Sequence, residues 1–356
     1  MSSNKLPGVE YEDINSGQGT LNKDITKKSI RKRGIFFQPF DVLFGKLRPY
    51  LKNWLYPNFK GVAVGDFWVL YSKLLEPSFI YGMIQTQKFQ NVANLSSGSK
   101  MPRSDWKLVS RTLFRFPMNK NEQRKIGLLL LNLDKTITLH EEQHRQLERL
   151  KKALLQKMFA DKTGYPALRF KGFTEKWEQE KLGNIIRQSS LKNNNYNYPI
   201  LTSAHEGLVP QSTHFGSQQR HDTSDYNVIK PNQITYRNRS DDGRFTFNIN
   251  KLNITGLVSK FYPVFSFENT DNDFMVNNLN HNPQIKYDLD VLSVGTGQHV
   301  LSFTNLKKYE ILAPSYVEQK RIGQLLLQLN RTITLHDKKI QYLKQLKRGL
   351  LQKMFV

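Results

Sequence analysis

The chain has 356 residues, enough for two or more domains, and its 38% hydrophobic content can supply a core to each. Fifty-three lysines and arginines against 30 aspartates and glutamates leave a net charge of +23, which fits a polyanionic partner, nucleic acid first and an anionic membrane surface second. Cysteine is absent, which excludes disulfides and thiolate metal sites. With no signal-like apolar core near the start and no run of about 18 apolar residues anywhere, a cytoplasmic protein without a membrane partner is expected.

Residues 1–25 mix extended and turn signals and read as the interior of a domain, without an opening element. Strand-type residues at 35–37 and 42–44 follow, among the basic side chains Arg31, Lys32, Arg33, Lys46, Arg48 and Lys52. Residues 61–71, with Gly61 and Gly65, predict a further strand, 77–91 a short helix and 96–99 a glycine turn, and an extended run ends at Pro117. The first long helix opens at Asn119 or Asn121, either of which can cap it. After Phe159, the residues Gly164, Pro166 and Gly172 end that helix and begin a second mixed domain. Its strands are expected at 199–202, 228–236, 256–267 and 291–294, with the Asn-rich stretch 191–198 as a surface loop, and the second long helix follows Ala313-Pro314.

The two helices repeat one another. EQRKIGLLLLNLDKTITLH begins at Glu122 and EQKRIGQLLLQLNRTITLH at Glu318, an offset of 196 (318 − 122) that still holds where KALLQKMF matches RGLLQKMF. In each copy apolar residues recur at alternate spacings of four and three: Ile126, Leu130, Leu133, Ile137, Leu147, Leu154 and Met158, then Ile322, Leu326, Leu329, Ile333, Ile340, Leu343, Leu350 and Met354. A seam with a mean period of 3.5 suits a helix wound on a partner helix, each about 55 Å long at roughly 1.5 Å per residue. The domains echo one another too: Pro39 matches Pro231 and Pro7 matches Pro199 at an offset of 192, and Gly61 matches Gly256 at 195.

If the helices lay parallel, the second domain would have to carry the chain back along their whole length, so an antiparallel pair with a pseudo-twofold axis is expected. Full use of the seam then pairs residues whose numbers sum to 480, among them Leu130 with Leu350 and Ile137 with Leu343, with His144 opposite His336 at the centre. Lys347 falls opposite Leu133, where its stem would snorkel to water. The expected fold is α+β: a first domain at 1–118, a helix at 119–160, a second domain at 161–315 and a helix at 316–356. Two basic heads on such a rod suit a ruler for DNA in which each head reads a few base pairs.

The EQxxIgxLLxxLxxxIxLh…LLQKMF pattern, the FGKLRPY strand and the RFKGFTEKWEQEKLG opening of the second unit resemble the specificity subunit of type I restriction–modification enzymes, over essentially the whole chain. That resemblance implies two target-recognition domains reading the halves of a split double-stranded DNA site. It also implies a helical spacer that docks two methyltransferase subunits, and a complex that recruits motor-nuclease subunits. Catalysis, methyl donor and ATP then belong to the partners, and this chain needs no cofactor. One departure stands out: nothing ahead of Pro7 matches 169–192, so the first domain is expected to lack its opening helix and strand.

The candidate DNA contacts are Lys46, Arg48, Tyr50 and Lys52 in the first domain. In the second, Tyr236, Arg237 and Arg239 occupy the corresponding place, joined by Arg244 and by Arg220 in the 218–221 loop. A fixed arginine can take guanine O6 and N7 in two hydrogen bonds while lysines hold phosphates. The competing reading of each is a charged, solvated strand edge. Glu318-Gln319-Lys320 spells a nuclease E-x-K, but no suitably placed upstream acid pairs with it and it is more simply the acidic first turn of a helix; no G-x-G-x-x-G loop occurs. His140 and His336 are repeat-equivalent seam residues, and polar seam residues commonly set register, so no metal is expected. Two other functions compete with the specificity subunit: a single-chain DNA methyltransferase or nuclease with a split recognition module, and a basic coiled-coil scaffold without sequence preference.

Overall fold

The computed structural model describes residues 6–25, 33–95, 101–194, 197–204, 207–216, 222–295 and 297–355. The expected turn at 96–99 lies outside them, as do Arg31 and Lys32. The chain forms two compact units, Met1–Arg145 with Leu335–Val356, and Gln146–Thr334. Each combines a mixed α/β body with portions of both long helices, Lys120–Lys157 and Tyr316–Met354.

In the first unit, Gly61–Ala63 lies between Gly8–Val9, parallel to it, and Ile35–Phe37, antiparallel. A second sheet places Val42–Gly45 between Trp54–Leu55 and Phe67–Leu70. In the second unit Ile186–Ser189, Val264–Phe267, Ile234–Tyr236 and Phe247–Ile249 form one antiparallel sheet in that order. Its buried aromatic face, with Tyr236, Phe247 and Phe265, packs on Trp177 and Phe274.

The repeat extends to individual turns. Gln38-Pro39-Phe40-Asp41 closes with the Asp41 N–H on the Gln38 carbonyl at 3.2 Å, and Lys230-Pro231-Asn232-Gln233 closes the same way at 3.2 Å. The fourth side chain of each accepts from the backbone of the first, Asp41 from Gln38 at 2.7 Å and Gln233 from Lys230 at 2.8 Å. Proline then a left-handed residue is the signature of a type II turn, here Phe40 with φ 72° and Asn232 with φ 64°. Asparagine tolerates that conformation, while phenylalanine adopts it only under constraint. The turn splits the expected 228–236 strand into Asn227–Ile229 and Ile234–Tyr236. The match of Pro7 with Pro199 also has a physical basis, because their carbonyls accept from Val62 N at 3.0 Å and Leu257 N at 2.9 Å, just past Gly61 and Gly256.

Other boundaries move for local reasons. The expected 61–71 strand breaks at Gly65, whose φ of +100° leaves the extended region. The 77–91 helix is two helices, Pro77–Met83 and Gln87–Ala93, the second capped by the Thr86 hydroxyl. Residues 291–294 are not a strand: 283–292 is helix, capped by Asn282 with Pro283 at its first position. Of the two proposed caps for the first long helix, Asn119 performs the task, accepting from Asn121 N at 2.8 Å.

The helix motif is shaped by packing. Gln123 is fully buried, donating to the Pro117 carbonyl at 2.7 Å and accepting from Glu76 N at 2.8 Å. Gln319 repeats this, donating to Pro314 O at 2.9 Å and accepting from Asp271 N at 3.0 Å. Each glutamine ties the segment just before its long helix to the start of a shorter helix, Pro77–Met83 or Asn272–His281. Gly127 and Gly323 permit the approach, since a Cβ would strike Ser78 at the first and Asp271 at the second.

Within each unit the long helices run antiparallel. In the first, Ile126 and Leu130 cluster with Leu350 and Met354, and Leu133 and Ile137 with Leu343. In the second, Leu154 and Met158 share a core with Leu326 and Ile322. Leu329, Ile333 and Ile340 are buried as expected of the seam, whereas Leu147 is only half-buried, and Leu155, off the seam, is more deeply buried than Leu154. Two expected layers are corrected. His336 meets His140, Nδ1 to Nδ1 at 3.1 Å, while His144 faces Asp337 at 3.2 Å, because a side chain entering the facing helix sits between two residues four apart. Burial, with the nearby His336 and Lys339, holds His140 below the usual histidine pKa. The Lys347 ammonium does not reach out to water: it pairs with buried Asp134 and donates to Gln85.

Candidate nucleic-acid interface

In the second unit the chain leaves the Ile234–Tyr236 strand and enters a loop whose backbone is locked by Ser240. The Ser240 hydroxyl donates to Asp242 at 2.8 Å and accepts from Arg244 N at 3.0 Å. Arg239–Ser240 is antiparallel to His299–Val300, and Leu301 N donates to Asn238 O at 2.9 Å. Gly243, with φ +72°, lies where any Cβ would strike the Asp290 carboxylate. The result is a pocket of about 460 Å³ lined by Arg237, Arg239, Arg244, Ser203 and Thr246, among others.

The three arginines differ. Arg237 is exposed and makes no ion pair among the described residues, Arg239 lies over the Phe261 ring at 4.6 Å, and the 82% exposed Arg244 is 3.6 Å from Asp242. Tyr236 is corrected: its ring is fully buried and its hydroxyl donates to the Leu301 carbonyl at 3.0 Å, so it belongs to the core and cannot reach DNA. Burial alone raises its pKa. Phe44, its repeat partner, is likewise buried and has no hydroxyl to place. Arg220 and the rest of its loop lie outside the described residues.

The first unit fixes its loop through the same backbone scheme. Ser104 N donates to Lys46 O at 2.8 Å, Leu47 is bridged antiparallel to Arg103, and Arg48 N donates to Pro102 O at 2.7 Å. Arg48 and Lys52 both adopt left-handed backbone, at φ 50° and 57° around Pro49–Leu51. Such conformations persist only where the surroundings impose them. Arg48, Lys52 and the 54% exposed Tyr50 project without side-chain partners among the described residues. Lys46 is 3.7 Å from Asp66, which also takes Arg103 at 2.9 Å. Beside them Tyr11, which accepts from Leu47 N and donates to Asp66 O, has its pKa pushed up to about 12, chiefly by burial.

The heads share their loop position but not their arginines. Counting from the matched turns, Gly45 aligns with Arg237, Leu47 with Arg239, and Arg48 with Ser240. Arg103 aligns with Val300 through the bridge each makes to that loop. Arg103 was not legible as a site residue, since only the ladder brings it beside Leu47. At this loop position each head presents an exposed arginine without an ion pair among the described residues, Arg48 in one and Arg237 in the other. A planar fork held this way can recognise a base edge, with neighbouring lysines and arginines on phosphate. Among the described residues no group of three or more His, Asp or Glu could hold a metal ion.

Residues 168–345, half of the chain, match the family model for the type I restriction modification DNA specificity domain. The fold resembles the type I restriction–modification system S subunit from M. genitalium, with a TM-score of 0.60 and 14% identity over 99% of this chain and 92% of that one. An HsdS subunit from Thermoanaerobacter tengcongensis aligns with a TM-score of 0.46 and 19% identity, over 98% of this chain and 90% of that one. A chain from a study of complex assembly and conformational transition of the type I R-M system gives 0.46 and 18%, over 98% and 90%.

Proposed function

Since this chain belongs to the type I restriction modification DNA specificity family, we propose that it reads a bipartite double-stranded DNA site, one half with each of its two heads. The observation that carries this is the duplicated head: one turn, one ladder and one loop position, fixed by the same backbone bonds, with different arginines in each. Equal scaffolds with unequal side chains are what two unlike half-sites require. In this reading Arg48 and Arg237 contact bases, while Lys46, Lys52, Arg239 and Arg244 bear on phosphates, and the paired long helices serve as spacer and as platform for two methyltransferase subunits. Those subunits and the motor-nuclease subunits bring the methyl donor, ATP and the chemistry, and the work takes place in the cytoplasm.

The test is binding of the full chain, with its methyltransferase subunits, to a library of duplexes. Arg237→Ala is expected to relax discrimination at one half-site by about 1–3 kcal/mol with smaller loss of total binding, and Arg48→Ala to do so at the other. Lys52→Ala should weaken all sequences alike and lower the salt slope by about 0.9. Loss of affinity without any change of base preference in both arginine variants would remove the assignment of base contacts. Binding that prefers no duplex over competitor DNA would leave the scaffold reading instead.

A further inference from the structure

The second head carries a hydrogen-bond donor whose sense is set by the fold. Along Ile234–Tyr236 and Phe247–Ile249, Tyr236 and Phe247 turn into the aromatic core, so Thr235 and Asn248, paired across the ladder, lie on the opposite face. The next step of that ladder brings Arg237 opposite Thr246, on the same face as Asn248. A hairpin of Leu201–Ala204 and Gly207–Pro210 packs on this face, where Leu201 and Leu208 share a cluster with Val264.

Asn248 is 6% exposed, and its amide nitrogen donates to the Ala204 carbonyl at 3.1 Å and to the Ser203 hydroxyl at 2.7 Å. The carbonyl can only accept, which fixes the nitrogen on that side of the amide and thereby makes the Ser203 oxygen an acceptor as well. The hydroxyl hydrogen is then left over, because Ser203 makes no other hydrogen bond among the described residues. Ser203 is half-buried and lines the pocket of about 460 Å³ together with Arg237 and Thr246.

We propose that Ser203 is a second base-reading residue of this head, donating its hydrogen to a base edge beside the base pair that Arg237 contacts, and that Asn248 is the positioning residue that holds the hydroxyl in the donor sense. On the reading of the second head as a DNA reader, the base at this place presents purine N7, guanine O6 or thymine O4. An amino group there is refused, since a donor facing a donor leaves both unpaired. The first head has no such device. Counting from Pro7 and Pro199, Tyr11 stands in the place of Ser203, and its hydroxyl is already used in both senses, by Leu47 N and Asp66 O. Leu55, paired with Leu43 as Asn248 is with Thr235, replaces the amide. The selection made by Ser203 therefore belongs to one half-site.

The experiment is binding of the full chain, with its methyltransferase subunits, to a library of duplexes, with Arg237→Ala marking one base pair of the half-site. Ser203→Ala is expected to relax the preference at a neighbouring base pair roughly fivefold, the worth of one hydrogen bond, and to leave the other half-site unchanged. Ser203→Thr keeps the hydroxyl and should retain the preference. Asn248→Ala frees the hydroxyl to rotate and should relax the same base pair and no other, with no further loss when combined with Ser203→Ala. Ser203→Asp can only accept, and should turn the preference at that position toward cytosine, whose amino group a carboxylate takes. Should Asn248→Ala fail to fold, the Ser203 variants carry the test. Equal weakening of every sequence by Ser203→Ala would make the residue a phosphate contact and overturn its role as a reader. A parent that selects its bipartite site while Ser203→Ala leaves every preference unaltered refutes the role of Ser203 alone, whereas a parent that prefers no duplex removes the reading of the heads and this role with it.

Discussion

The buried pair of Asp134 and Lys347 makes a demanding test of the helix packing. Asp134 is 8% exposed, and the Lys347 side chain 13%. Little solvent screening therefore softens the removal of one partner, and uncovering a buried charge typically costs about 3–5 kcal/mol. Lys347→Met keeps the stem and deletes the ammonium, leaving the carboxylate with the Tyr81 hydroxyl at 2.9 Å as its hydrogen-bond donor. That remaining bond puts the expected loss near the lower end, about 3 kcal/mol at neutral pH. Burial already pushes the Asp134 carboxyl above the usual range, with Lys347 the main influence opposing the rise. The variant therefore raises it further. A carboxyl whose folded pKa exceeds its unfolded value contributes its full stability below the unfolded value, near 3.9, and loses it as pH rises through the folded value. The deficit of Lys347→Met against the parent should accordingly be small near pH 5 and grow toward pH 8, by at most about 1.4 kcal/mol per pH unit. Urea unfolding followed by tryptophan fluorescence, at both pH values and low salt, measures it. Asp134→Leu combined with Lys347→Met should recover most of the loss, since a buried pair is often replaceable by apolar groups. A deficit equal at the two pH values, or a double variant no better than the single, would show that the carboxylate is not the group left stranded.

The repeat supplies paired controls for three further tests. Gly323→Ala should destabilise, because its Cβ would strike the Asp271 side chain, whereas Gly349→Ala meets open space and should stabilise by roughly 0.5–1 kcal/mol; thermal unfolding of the two variants reads the opposite signs. Ala153 already occupies the position matching Gly349. Arg169→Ala strands the buried Glu318 carboxylate and is expected to cost about 3–5 kcal/mol in urea unfolding, while Glu122→Gln, exposed at the matching place, should change stability by less than about 0.5 kcal/mol. In a chain without cysteine, Leu130→Cys with Leu350→Cys should oxidise to an intramolecular disulfide, and Leu130→Cys with Leu326→Cys should not; the reverse, seen as a gel shift under oxidation, would contradict the antiparallel packing.

What could be read from the sequence was whatever repeats with a period. The seam leucines and the two helices each impose a pattern over several residues, and the match of Pro39 with Pro231 was legible as a repeat, though the turn it marks was read as part of a strand at 228–236. The helices at 272–281 and 283–292 were missed because NDFMVNNLNH and PQIKYDLDVL are rich in asparagine and aspartate, which favour turns in isolation. Here Asp271 and Asn282 act as caps, and Asn278 is buried as a donor to Leu312 O. The error at Tyr236 has a simple origin. A tyrosine beside two arginines reads as part of a basic surface, yet strand alternation turns it inward while Arg237 points out. Arg103 carried no signal at all, since its neighbour in the head is 56 residues away along the chain (103 − 47) and only the ladder joins them.

The two heads separate what backbone hydrogen bonding determines from what side chains determine. The turns at 38–41 and 230–233 and the bonds from Ser104 to Lys46 and from Leu301 to Asn238 are matched in the two units, though the side chains at these places differ almost throughout. Main-chain donors and acceptors are the same for every residue except proline, so a scaffold held by them tolerates replacement of the side chains it presents. Arg48 and Arg237 are under no such tie: each is exposed on an immobilised backbone and makes no ion pair among the described residues. A loop built this way can exchange those two side chains without refolding. The Gln123 and Gln319 clamps are the complementary case. Each fills two buried backbone partners with one side chain, no other residue of that length offers both a donor and an acceptor, and both repeats retain it. Divergence in the loops beside identity in the clamps thus follows from where the protein depends on side chains for its hydrogen bonds and where it does not.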